Sequence, residues 1–321
     1  MIRIIKYREE YYRELLKTDK AVVTEITYNK DVIKDSVIIA LTENEGRGNE
    51  GERKENVLSG IGYILKGSSA YADNSYTGKR FLHAVFKGYG KDEAEISELL
   101  LDKLISIYRE DYRDHTLRLW CRARNTAYLD FLVYKGFYVD NTMLIMEFDL
   151  KGEINDTDKG HGENYPDHVN LSTCIVKYDK DLPIDKYIEA NADAFGIPDS
   201  RYDIMYRIGY CGAGVYTVYD AQEYADKREE AKIIAAVTVW SLSADDSIRI
   251  YATENVFCRS SCRRRGIMRS LLSHVLKELK KSGKDIASLN VYGDNKGALF
   301  LYLDIGYEVK DVLLELHLFQ E

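Results

Sequence analysis

The chain carries one pattern twice, 170 residues apart, and a sequence that repeats at that distance folds as two copies of a unit rather than one enlarged core. The first copy reads Arg118-Leu119-Trp120-Cys121-Arg122-Ala123-Arg124-Asn125, then residues 126 to 134, then Lys135-Gly136-Phe137-Tyr138-Val139. The second reads Ser288-Leu289-Asn290-Val291-Tyr292-Gly293-Asp294-Asn295, then residues 296 to 304, then Ile305-Gly306-Tyr307-Glu308-Val309. Asn, Gly, an aromatic residue and Val recur without a gap. Each copy is expected to form a strand, an Asn-led turn into a short helix, a Gly that stops it and a final strand.

The agreement continues upstream. Ala94 to Tyr108 and Ile267 to Lys281 both read as amphipathic helices; in the latter, Ile267, Met268, Leu271, Leu272, Val275, Leu276 and Leu279 recur at helical spacing. Before each helix come three strand-like runs: Val37–Thr42, Val57–Leu65 and Arg80–Phe86 in the first half, and Val215–Tyr219, Ile233–Ser241 and Ile248–Cys258 in the second. Glu43–Asn56 and Ala221–Lys232 are polar and are expected to be loops. Lys151 to His168 has no apolar periodicity and reads as a linker. The expected organisation is therefore a domain over 1–150, a linker over 151–168 and a domain over 169–321.

Charge and cysteine content narrow the function classes. With 45 basic and 53 acidic side chains, a net −8, the chain is not a general nucleic-acid binder, and any basic site must be local. No stretch approaches the ~20 apolar residues of a membrane span, and Met1 to Tyr12 has no apolar targeting core, so no membrane partner and a cytoplasmic location are expected. Cys121, Cys174, Cys211, Cys258 and Cys262 are odd in number and scattered; free thiols are expected, with neither disulfide nor metal site.

One local basic site exists. Asn255-Val256-Phe257-Cys258-Arg259-Ser260-Ser261-Cys262-Arg263-Arg264-Arg265-Gly266-Ile267-Met268-Arg269 reads as a strand, a turn and the start of the amphipathic helix. It holds five arginines, and no carboxylate occurs between Asn255 and Lys277. First-turn N–H groups have no intrahelical partners and lie at the positive end of the helix dipole, so a Gly-led entry into a helix can receive a phosphate. The Lys-Ser/Thr ending of a nucleotide-hydrolase P-loop and the G-x-G-x-x-G of a dinucleotide fold are both absent.

This passage resembles the acetyl-CoA signature of the GNAT N-acetyltransferase superfamily, Arg/Gln-x-x-Gly-x-Gly/Ala, met here by Arg263, Gly266 and Met268. Downstream, Asn295, Tyr302 seven residues later and Gly306-Tyr307 fit the same family. The resemblance extends to the strand order of both halves and implies an α/β protein of two tandem GNAT domains, each a mixed, mostly antiparallel sheet flanked by helices. The signature lies only in the second half. At the corresponding place the first half has Lys87-Gly88-Tyr89-Gly90-Lys91-Asp92-Glu93-Ala94-Glu95, whose carboxylates would repel a diphosphate. That half is expected not to bind CoA.

The resemblance further implies how acetyl-CoA, as co-substrate, is held. Two strands splay apart and pantetheine lies along the opened edge at Val256, Phe257 and Cys258. The diphosphate sits on the N–H groups of Arg264, Arg265, Gly266, Ile267, Met268 and Arg269 behind Arg263, with Asn295 facing the pantetheine arm. Glu254 stands where some members carry a general base, Tyr302 at the general-acid position, and the Val256 N–H is expected to serve the oxyanion. The implied reaction is direct transfer of acetyl to a small-molecule primary amine. Another CoA ester, a larger amine conjugate, or a non-catalytic acyl-CoA-binding regulatory module are the rival readings. Met268 and Ser260 depart from the pattern, which has a small residue and often Pro there; a more flexible turn is expected at Ser260.

Overall fold

The computed structural model describes residues 2–29, 31–43, 56–66, 80–152, 173–179, 182–196, 201–209, 212–228, 230–242 and 248–318. In the first half β1 (Ile2–Lys6) leads to α1 (Tyr12–Thr18), α2 (Lys20–Tyr28), β2 (Ile38–Glu43), β3 (Asn56–Lys66), β4 (Arg80–Gly88), α3 (Glu93–Asp111), β5 (His115–Arg122), α4 (Thr126–Tyr134) and β6 (Tyr138–Asp149). The second half runs through β7 (Cys174–Asp179), α5 (Ile184–Phe195), α6 (Arg201–Gly209), β8 (Gly214–Asp220), α7 (Ala221–Lys227), β9 (Ile233–Ser241), β10 (Ile250–Cys258), α8 (Ile267–Lys281), β11 (Ile286–Tyr292), α9 (Lys296–Ile305) and β12 (Glu308–Leu318). The repeated glycines end α4 and α9 as expected: Gly136 and Gly306 both take positive φ, 91° and 111°.

One expected loop is different. Residues 221–232 contain α7, because the Asp220 side chain accepts the Glu223 N–H at 3.0 Å and caps a helix start. The corresponding stretch of the first half, 44–55, and most of the expected linker, 153–168, lie outside the described residues.

The compact units cut across the linear halves. One comprises Met1–Cys121, Ala127–Asp140 and Glu315–Glu321; the other Arg122–Thr126 and Asn141–Leu314. Most of β6 thus belongs to the second unit, and the end of β12 belongs to the first. A boundary near residue 150 follows sequence order, whereas the units follow strand pairing.

In the first unit the strands lie in the order β1-β2-β3-β4-β5, antiparallel except for the parallel pair β4/β5. Successive residues of β3 serve opposite faces. Ile61 joins the cluster of Leu15, Val23, Ile26 and Ile39 beneath α1 and α2. A Cβ on Gly60 would lie 2.6 Å from Ile96 and 2.9 Å from Leu100, so α3 packs close on the other face.

In the second unit the order is β7-β8-β9-β10-β11-β6, antiparallel except for β10/β11. β6 supplies the far neighbour of β11, with Met143 opposite Tyr292 and Asp149 opposite Ile286. The apolar stripe of α8 is buried at Ile267, Leu271, Leu272, Val275, Leu276 and Leu279, and with α9 it closes one face over Val237, Leu289 and Val291. Each such side chain contributes about 2 kcal/mol on burial. The other face is covered by α5 and α6, with Tyr187, Ala190 and Ile204 against Val215, Ala236 and Phe257.

Candidate active site

β10 organises the site through two irregularities. It pairs with β11 only over Ile250–Ala252, against Ile286–Ser288, although β10 runs on to Cys258 and β11 to Tyr292. Its register against β9 shifts between Glu254 and Phe257, and Asn255 has φ 46°. A non-Gly residue at positive φ with one extra residue in the strand is a β-bulge. It resets the faces of β10: Val256 and Cys258 pack on the α8 side, whereas Phe257 turns to α5, its ring 5.2 Å from Tyr187 and 6.0 Å from Phe195. Thr253 sits where the strands part, its hydroxyl donating to the Ser288 carbonyl at 3.3 Å and lying 3.1 Å from the Tyr307 hydroxyl. Phe257, expected at the cofactor, gives its side chain to the core and has only backbone to offer a ligand.

Beyond β10, Ser260–Cys262 form a single 3-10 turn, and Arg264 and Gly266 both take positive φ, 60° and 75°. Left-handed residues in close succession can turn N–H groups toward one concave face that suits an anion, and here they lead directly into the first turn of α8. That turn contains no acidic residue. Gly266 fits its φ without the ~1–2 kcal/mol penalty a side chain would meet there. Ile267 is 2% exposed and Met268 packs against the core, so both present backbone alone.

The five arginines divide into two groups. Arg259 donates to the Ile233 carbonyl at 2.7 Å and to Glu189 at 3.0 Å; Arg263 donates to the Cys258 carbonyl at 3.3 Å and to the Ala194 carbonyl; Arg269 pairs with Asp304 of α9. Arg264 and Arg265 are exposed at the mouth of the turn. Three arginines therefore hold the protein together and two face solvent beside the helix start. Nor is the turn loose at Ser260, whose N–H and hydroxyl are both held by Asp193.

Asn295 caps α9, its side-chain oxygen accepting the Ala298 N–H at 3.3 Å. The cap uses the oxygen and leaves the amide N–H₂ to donate. Tyr302, two turns along α9, is 6% exposed, with its ring 5.8 Å from Tyr307. Burial first, and the neighbouring Tyr307, hold its hydroxyl above the ordinary phenol range, so Tyr302 is a proton donor and not a phenolate. Glu254 lies opposite Thr238 immediately before the bulge. Burial also pushes the Cys258 thiol up to about 12, which removes it as a nucleophile near neutral pH. Asp193, Glu189, Asp304, Thr253 and Tyr307 were not singled out from sequence as site residues; the first three lie far along the chain from what they hold.

The first unit is built differently at the corresponding place. β4 and β5 also part after His83 and Arg118, but β4 keeps an unbroken register with β3 out to Gly88. A Cβ on Gly88 would meet the Glu93 carbonyl at 2.4 Å, and the Gly88 N–H donates to Ser97 at 3.0 Å, so the start of α3 closes on the end of β4. Glu93 and Glu95 occupy the first turn of α3. Where the second unit has Thr253 and Ser288, the first buries a polar cluster. Arg118 donates to Glu315 at 2.8 Å and to Nε2 of His83 at 2.5 Å, and His317 lies 3.0 Å from Glu315.

Residues 188–307 match the model of the acetyltransferase (GNAT) family, and β10, the turn and α8 lie within the match. No curated protein sequence matches the chain. A GCN5-related N-acetyltransferase from Sphaerobacter thermophilus is similar at TM-score 0.61 and 13% identity, covering 98% of this chain and 95% of that one. A tandem GNAT protein from the clavulanic acid biosynthesis pathway is similar at TM-score 0.62 and 10% identity, over 99% and 98%. A glucosamine N-acetyltransferase region of a fungal multi-domain β-N-acetylglucosaminidase gives TM-score 0.65 and 14% identity over 99% of this chain and 38% of that one. The fold is thus that of tandem GNAT proteins. Among the described residues no group of His, Cys, Asp and Glu could hold a metal ion, and no helix is long and apolar enough to cross a membrane.

Proposed function

We propose that the second unit transfers an acetyl group from acetyl-CoA to a primary amine. The observation that carries this reading is the path of β10: it parts from β11, bulges at Asn255 and enters, through a turn without carboxylates, the open N-terminus of α8. A narrow arm fits the opened edge and a diphosphate fits the helix start, with Arg264 and Arg265 adding charge-assisted hydrogen bonds. Bound there, acetyl-CoA supplies an activated acyl thioester.

This chain's own residues have three tasks. Glu254 accepts the proton of the amine through water, so that the nitrogen lone pair is free for attack. The Val256 N–H, next to the bulge, stabilises the developing oxyanion. Tyr302 gives its proton to the departing sulfur. Free thiols and phenols titrate at ~8.5 and ~10; burial raises both, as Cys258 and Tyr302 illustrate, and so keeps donor and acceptor near one another. The acidic character of the chain favours a cationic acceptor.

Calorimetric titration with acetyl-CoA, followed by an amine panel read by free CoA, tests the reading. Binding and turnover are expected, whereas binding without turnover across the panel leaves a regulatory acyl-CoA-binding module. Glu254→Gln should lower kcat/KM most at low pH, where more of the amine is protonated; an unchanged pH profile places the base elsewhere.

A further inference from the structure

The last two turns of α5 hold the entry to the anion-binding turn at three points. Glu189 accepts from Arg259 at 3.0 Å, Asp193 accepts the Ser260 N–H at 2.7 Å and its hydroxyl at 3.1 and 3.3 Å, and the Ala194 carbonyl accepts from Arg263. Positions 189 and 193 are one helical turn apart, so the two carboxylates lie on one face of α5, and the Ala194 carbonyl is among the last of the helix, which have no intrahelical donor. Exposed ion pairs alone carry little energy. Asp193 differs because it grips a backbone N–H and the hydroxyl of the same residue with one carboxylate, fixing the chain where β10 ends. From that point run the residues that build the concavity, Arg264 and Gly266 at positive φ and then the start of α8.

We infer that Asp193 is a positioning residue for the cofactor: it sets the affinity for the CoA diphosphate through the Ser260 backbone without touching the diphosphate. This rests on the reading of the second unit as an acetyl-CoA site. The physical reason is preorganisation. N–H groups that already converge cost no ordering when the anion arrives, whereas a released turn must be reordered at the expense of affinity. The clamp also explains how a serine can occupy this position without a loose turn. Arg259 has φ −50° and ψ 144°, the extended conformation that a residue preceding proline prefers. A proline at 260 would therefore lock the same backbone covalently while removing the N–H that Asp193 holds.

The test is a set of full-length variants titrated with acetyl-CoA and assayed with an amine substrate. Asp193→Ala should weaken binding and raise KM about tenfold, the loss of one to two hydrogen bonds, with kcat within about twofold. Ser260→Pro introduced into Asp193→Ala should recover most of that affinity. Asp185→Asn, which breaks an exposed α5 pair with Arg201, should change neither constant. Undiminished affinity in Asp193→Ala, or an affinity loss that Ser260→Pro leaves uncorrected while kcat and thermal stability fall with it, overturns the positioning role. Failure of the unaltered protein to bind acetyl-CoA overturns the functional reading itself.

Discussion

Tyr302 and His83 show how burial sets the chemistry of single residues. In the proposed reaction Tyr302 needs its hydroxyl only as a donor, and burial that keeps it protonated suits that role. Tyr302→Phe should therefore lower kcat about 10²-fold while leaving acetyl-CoA affinity unchanged, measured by CoA release and by calorimetry. At His83 the geometry fixes the protonation state, because Arg118 has only donors to offer and Nε2 must accept. Burial, and then the Arg118 charge, lower the His83 pKa from 6.5 to about 4. Since the folded value lies below the unfolded one, its stabilising effect is fully present above pH ~6.5 and is lost as pH falls toward 4, on the order of 3 kcal/mol. Thermal melts between pH 7 and pH 4 should show this loss, and His83→Gln should flatten the profile.

At the scale of elements, the amphipathic stripe of α8 and the glycines that end α4 and α9 were legible because each depends on neighbours within a few residues. The carboxylate-free turn was legible for the same reason. The bulge at Asn255 was not, because it is defined by how β10 pairs with its neighbours: it lies beyond the last pair with β11, where the register against β9 shifts. Gly266→Ala probes the element at its most constrained point. The substitution should cost about 1–2 kcal/mol of stability, read by denaturant unfolding, and should also weaken acetyl-CoA binding, since the left-handed entry to α8 aims the N–H groups.

For the whole molecule, exchange of terminal strands means that neither half is complete alone. Residues 143–149 pair with β11 in the second unit, and residues 315–318 belong to the first, where Arg118 bonds Glu315 and the Tyr108 hydroxyl donates to the Leu318 carbonyl at 3.1 Å. A buried ion pair adds little net stability, but losing one partner strands the other charge. Fragments 1–152 and 153–321 produced separately are therefore expected to lack cooperative thermal unfolding, and to co-purify as a folded pair when produced together. Cooperative unfolding of each fragment by itself would show that the exchanged strands are dispensable.

The sequence by itself determined the repeat, the strand and helix order common to both copies and an arginine-rich turn without carboxylates, all written in spacings of a few residues or in an exact offset. Tertiary structure alone decided which arginines remain for a ligand, which unit each terminal strand completes and what holds the turn. Those outcomes depend on partners such as Asp193 and Ser260, 67 residues apart, or Arg118 and Glu315, 197 apart. A carboxylate on a helix surface carries no mark of what it will hold until packing of the sheet brings the two together.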